Sequence, residues 1–112
     1  MVRLLFVFGL ISAFLSGTPK NSDPFVHAFA NPADNPDLPR VLILGDSISI
    51  GYTPLVRGLL KDEANVHRPA TNCRWSEFGA TELPKWIGSE QWDVIHFNFG
   101  LWDWYGWKQE NK

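Results

Sequence analysis

The stretch Arg40-Val41-Leu42-Ile43-Leu44-Gly45-Asp46-Ser47-Ile48-Ser49 decides the fold. Residues 41–44 are continuously apolar. A strand with one solvated face would alternate; an unbroken run suits a parallel strand buried on both faces. Gly45 ends the run and opens a turn. Further on, Thr53-Pro54 reads as the N-cap and first residue of a helix. Leu55, Val56, Leu59 and Leu60 would form its apolar stripe, through about Asp62. Residues 64–68 read as a short second strand stopped by Pro69, and residues 70–80 as a loop. Glu82 to Ile87 is a short helical candidate ended by Gly88. Gln91 to Phe99 reads as a third strand, with Val94, Ile95, Phe97 and Phe99 as its buried body. Strands alternating with helices predict an α/β fold with a parallel sheet and right-handed crossovers. Doubly wound sheets usually have five or more strands, so about three correspond to the first part of one.

The flanking segments set the limits of this unit. Residues 4–15 are uncharged and almost wholly apolar, preceded by Arg3. They are too few for a stable membrane span, which needs about 20 apolar residues, and fit the core of an export signal. Ala28-Phe29-Ala30 supplies a small-x-small cleavage pattern. Residues 1–30 are therefore predicted to be a signal peptide cut after Ala30, giving a secreted or periplasmic chain starting at Asn31. Residues 31–39, with three prolines and two acids, read as an extended, solvated linker, and residues 40–112 as the folded part. The 112 residues carry a net charge of −2. That balance gives no footing for nucleic acid. A single cysteine, Cys73, excludes an internal disulfide framework and a zinc site built on several cysteines; it reads as a small buried hydrophobe.

In open α/β sheets, ligands bind beyond the carboxyl ends of the strands. Gly45-Asp46-Ser47, Asn72-Cys73 and Gly100-Leu101-Trp102-Asp103 fall there. A serine two residues past a buried strand is exposed and well held, as a nucleophile must be, and its N–H can face a developing oxyanion. Taken alone, such a serine is more often a turn residue or a helix cap. The segment is neither the G-x-S-x-G elbow nor a phosphate-binding Gly-Lys-Ser/Thr loop.

Three segments together resemble the GDSL, or SGNH, hydrolases. Residues 41–52, with Gly45-Asp46-Ser47, are similar to the family's first block. Asn72-Cys73 resembles the second, and residues 92–103 resemble the third, a buried strand ending in Gly-x-Asn-Asp. The resemblance covers residues 40–103. It implies a flavodoxin-like three-layer α/β/α sandwich, cut here to about three strands, and hydrolysis of an ester or carbohydrate ester without a cofactor or metal. It implies Ser47 as nucleophile and as one oxyanion donor. The second-block donor would correspond to the N–H of Cys73 or Arg74, because no glycine follows Asn72 closely. Asp46, Asn72 and Asp103 are expected to brace the loops.

Two departures argue against activity. Trp102 stands where the family has its oxyanion asparagine. The late Asp-x-x-His block that carries the general base has no counterpart. Asp93-Val94-Ile95-His96 has the spacing but precedes the third block, and residues i and i+3 of a strand face opposite ways; His96 and His67 are expected to be structural. The chain thus reads as an inactive esterase fragment. The alternative is a non-catalytic carbohydrate- or protein-binding module using the aromatic tail, Trp102 to Trp107. Three strands would leave a sheet edge and apolar faces uncovered, so self-association or a partner is expected.

Overall fold

Leu42 and Leu44 point to one side of the central strand, and Val41 and Ile43 to the other, and helices cover both. The computed structural model describes residues 24–104. Strand β1 (Arg40–Gly45) lies between β2 (Asn65–His67) and β3 (Val94–Asn98) in a parallel sheet of order β2-β1-β3. Arg40 registers with Asn65, and Gly45 with Asn98. Helix α1 (Pro24–Phe29) packs on α2 (Ser47–Leu59), which lies on β1 and β2. Helix α3 (Ser76–Ile87) covers the opposite face, where Leu83, Trp86, Ile87, Trp92 and Phe99 pack on Leu42, Leu44 and Cys73. A short α4 (Leu101–Trp104) follows β3. The parallel α/β sheet is as expected. No helix of the described residues is long and apolar enough to cross a membrane.

Several expectations need correction. The helix after β1 starts at Ser47, not Thr53, because Asp46 caps it: its carboxylate accepts the Ile48 N–H at 2.9 Å. Pro54 sits inside α2 and forgoes one hydrogen bond. Ile50 and Thr53, in the turn before Pro54, are buried. Residues 76–80 are helical rather than loop. The first turn of α3 is stabilised from afar: Asp103 accepts from the Ser76 N–H at 3.1 Å and from its hydroxyl at 2.7 Å. The helix still ends at Gly88, whose φ of 60° favours glycine.

The segment 31–39 is mostly exposed but is not a free linker. The Asn31 side chain donates to the Arg68 carbonyl and accepts the Arg68 N–H. Asn65 accepts the Asn35 N–H and donates to the Asn35 and Leu38 carbonyls. Asp34 pairs with both Arg40 and His67. These side chains satisfy backbone groups just beyond β2, and Arg57 Nε takes the Val66 carbonyl at 2.9 Å. The β2 edge is thereby sealed. The β3 edge is not. Val94 to Asn98 are all exposed, Phe97 at 71 %, so this strand is not the buried body expected from its composition.

Residues 24–29, expected to be discarded with a signal, form α1. Ala28 is fully buried. Arg57 Nη1 donates to the carbonyls of His27 (2.8 Å) and Ala30 (3.1 Å), closing the carboxyl end of α1. The apolar segment 4–15 lies outside the described residues, as do residues 105–112 of the aromatic tail.

Candidate active site at the carboxyl ends of the strands

Gly45 must be glycine for steric reasons. A Cβ there would lie 2.7 Å from the Asn98 carbonyl oxygen. This close approach lets β1 turn sharply into α2 beside the end of β3. Asp46 is buried as the N-cap, which leaves Ser47 as the first residue of α2 and exposed. Among the described residues, neither its hydroxyl nor its N–H has a hydrogen-bond partner. The N-terminus of a helix carries about half a positive charge, which favours an anion beside Ser47.

The two N–H groups considered as second-block donors are engaged elsewhere. The Cys73 N–H donates to the Gly45 carbonyl at 3.2 Å, and the Arg74 N–H to Asn72 Oδ1 at 2.9 Å. Neither is left over for an oxyanion in this arrangement. Arg74 nonetheless has φ 56°, a backbone that favours glycine. Asn72 thus bonds within its own loop, and Asp103 accepts the N–H and hydroxyl of Ser76 at the start of α3. Cys73 is fully buried. Desolvation, the main cause, holds its thiol above the usual range, while the Gly45 hydrogen bond and Arg68 pull the other way and Asp46 adds to the rise. It is a packed thiol, not a nucleophile.

Trp102 follows β3 in α4. It stacks on Trp75, with centroids 6.1 Å apart and planes 26° apart. Trp75 in turn packs on Phe78 and Phe78 on Trp86, so the tryptophan joins an aromatic row along α3. The carboxamide at the end of β3 belongs to Asn98, in register with Gly45. The sequence reading passed over it because it looked for the asparagine after Gly100. The available signal was a single polar residue at the end of an apolar strand.

His67 and His96 are both engaged with other side chains. His67 is buried, bonded to Asp34 at 2.5 Å and edge-on to Trp92. Its register partner is Leu42, three residues or about 10 Å back along β1 from Gly45. His96 is exposed rather than in the core, and its Nε2 lies 3.1 Å from the Tyr52 hydroxyl. Asp93 accepts the Arg40 N–H at 2.8 Å, at the opposite end of the sheet; Asp93 and His96 form no dyad.

Arg68 is a buried charged group behind α2, 1 % exposed. Its guanidinium donates to Ser49 Oγ and Thr53 Oγ1 of α2 and to the carbonyls of Pro69 and Thr71. Desolvation, the largest influence, lowers its pKa, yet an arginine stays protonated.

A hollow of about 620 Å³ lies between α3 and β3 and is lined mainly by Leu44, Leu83, Ile87, Ile95, Phe97 and Phe99. A second of about 420 Å³ lies on the α2 side, beside Tyr52 and His96. Asn98 borders both, and Ser47 borders neither. Both are open flanks of an uncovered strand rather than a closed substrate cavity. No family model, curated protein or solved structure matches the chain.

Proposed function

We propose that this chain carries the nucleophile side of an SGNH-type ester hydrolase site, with Ser47 as the nucleophile. One observation carries the reading. Ser47 opens α2 at the carboxyl end of the central parallel strand, exposed, with its N–H and hydroxyl both unspent. An acyl-transfer site needs that combination, a hydroxyl to attack and a fixed donor for the oxygen that becomes negative. The order β2-β1-β3 supports the sandwich implied by the resemblance. Asn98, rather than Trp102, is the carboxamide suited to a second donor.

No described side chain serves as a base for Ser47, so its hydroxyl has ordinary, weak nucleophilicity. The base has to come from outside residues 24–104. Export, proposed from residues 4–15 and the small-x-small pattern, is read by the mass of the N-terminus of the exported product. A serine-directed fluorophosphonate tests the reading. The expected result is a slow, single adduct on Ser47, absent in Ser47→Ala; labelling elsewhere or nowhere would refute it.

A second reading, sugar stacking, is favoured by Trp104, which is 85 % exposed and close in sequence to the stacked Trp102. Retention on immobilised polysaccharide that Trp104→Ala abolishes would select it.

A further inference from the structure

Arg68 brings a positive charge into the interior, and among the described residues no carboxylate pairs with it. Its guanidinium instead joins α2, which Ser47 opens, to the loop at residues 69–71. Nη1 donates to Ser49 Oγ at 3.1 Å and to Thr53 Oγ1 at 3.2 Å. Nε donates to the Pro69 carbonyl and Nη2 to the Thr71 carbonyl, both at 3.2 Å. The Phe29 ring lies 5.5 Å from its Cζ.

The chain of bonds continues. Ser49 Oγ accepts from Arg68 and donates to the Asp46 carbonyl at 2.7 Å. That carbonyl also accepts the N–H groups of Ser49 (3.0 Å) and Ile50 (3.3 Å). The Asp46 carbonyl and the Ser47 N–H are two ends of one resonant peptide group. Three donors on the oxygen, one of them backed by a cation, draw electron density toward it. Hydrogen bonds in a chain polarise one another in this way. The opposite end, the Ser47 N–H, is left more positive and fixed in direction.

We propose that Arg68, acting through Ser49, is a positioning residue that orients and polarises the Asp46–Ser47 peptide group, priming the Ser47 N–H to bind a tetrahedral oxyanion. The identity of that anion rests on the esterase reading; the relay itself does not. The arrangement accounts for an arginine where an apolar residue would pack more cheaply. It also separates two roles. Thr53 anchors Arg68 but does not touch the Asp46 carbonyl, whereas Ser49 does both.

The test is the amide resonance of Ser47 in the full, ¹⁵N-labelled chain, compared among wild type, Ser49→Ala, Arg68→Lys and Thr53→Ala. Ser49→Ala and Arg68→Lys are expected to move the Ser47 amide proton upfield, by more than that of Ile48, whose N–H is held separately by Asp46 Oδ1. Thr53→Ala, which removes an anchor but not the relay, is expected to leave it in place. A purely structural role for Arg68 would move all three variants alike. A Ser47 amide unmoved in folded Ser49→Ala overturns the proposal. Fluorophosphonate labelling is the second readout. Losing a whole oxyanion donor costs about 10²–10³-fold, and cooperative strengthening is about 10–30 % per bond. The expected loss of labelling rate in Ser49→Ala is therefore about two- to eightfold, and an unchanged rate overturns the proposal too. Failure of the wild-type chain to label removes the esterase reading alone, with the amide shift then deciding the relay.

Discussion

Gly45→Ala is the substitution whose cost can be worked most directly from the structure. The added Cβ would lie 2.7 Å from the Asn98 carbonyl oxygen, 2.9 Å from Ser49 Cβ and 3.0 Å from Ser49 Oγ, where ordinary contact begins near 3.4 Å. The carbonyl cannot retreat without drawing β3 away from β1, because Gly45 and Asn98 are register partners. Ser49 cannot turn aside either, since its hydroxyl is bonded to both Asp46 and Arg68. With no soft neighbour, the strain belongs at the upper end of the overpacking range, about 2–3 kcal/mol. Alanine returns about 0.4–1 kcal/mol by restricting the unfolded chain. The net is about 2 kcal/mol of destabilisation, a fall in melting temperature of about 8–16 °C for a domain of this size. Thermal unfolding followed by circular dichroism measures it. Gly51→Ala and Gly58→Ala are the controls: both are helical, with open space where a Cβ would go, and each should gain up to about 1 kcal/mol. A Gly45→Ala chain that melts with the wild type would refute the close-approach argument.

Other expectations follow from single features. Turnover of p-nitrophenyl acetate by the 112-residue chain should be negligible and unchanged in Ser47→Ala; robust turnover abolished by that substitution would mean that a base has been overlooked. Because the folded Cys73 pKa is raised, its contribution is intact below the ordinary thiol range and lost as pH climbs through the raised value. Urea stability should therefore fall in alkaline solution at up to about 1.4 kcal/mol per pH unit, and Cys73→Ala should flatten that limb. Arg57→Ala removes the bonds to His27, Ala30, Asn31 and Val66 and should cost about 1.5–3 kcal/mol, with the amides of α1 losing hydrogen-exchange protection first. The open, apolar β3 edge should make the chain associate, so sedimentation should show mass rising with concentration; a clean monomer throughout would count against this.

What the sequence made legible follows from how locally each element is determined. β1 was plain because four consecutive apolar residues before a glycine have few other readings. The Gly-Asp-Ser turn was plain as a site, but not as a cap, because Thr53-Pro54 offered a second start for the same helix. The Asp46 cap decides between them. The beginning of α3 was illegible. Its cap, Asp103, comes from 27 residues further on, beyond the reach of a local pattern. The burial of β3 was misjudged for the opposite reason. Its composition describes a strand with neighbours on every side, and the described residues supply a partner strand on one edge only. At the candidate site, Ser47 stands out by its position in the sequence, while Asn98 needed the strand register and Arg68 needed three dimensions: nothing in the sequence around it marks a buried cation.

The distant cap also dictates a sequence of events as the chain folds. A helix whose first turn is held by a residue from a later element cannot be secured while the polypeptide is still being extended. Until Leu101–Trp104 has reached its place, the Ser76 N–H and hydroxyl lack their acceptor, and the early turns of α3 can only flicker. β1 and α2 are under no such constraint, since Asp46 lies immediately before the helix that it caps. The half of the molecule around β1 and α2 is thus free to form early, and the α3 face is tied to the arrival of β3 and α4. Mutations at Asp103 should then register in the folding rate of the α3 face, a delay written into the chain by 27 residues of separation.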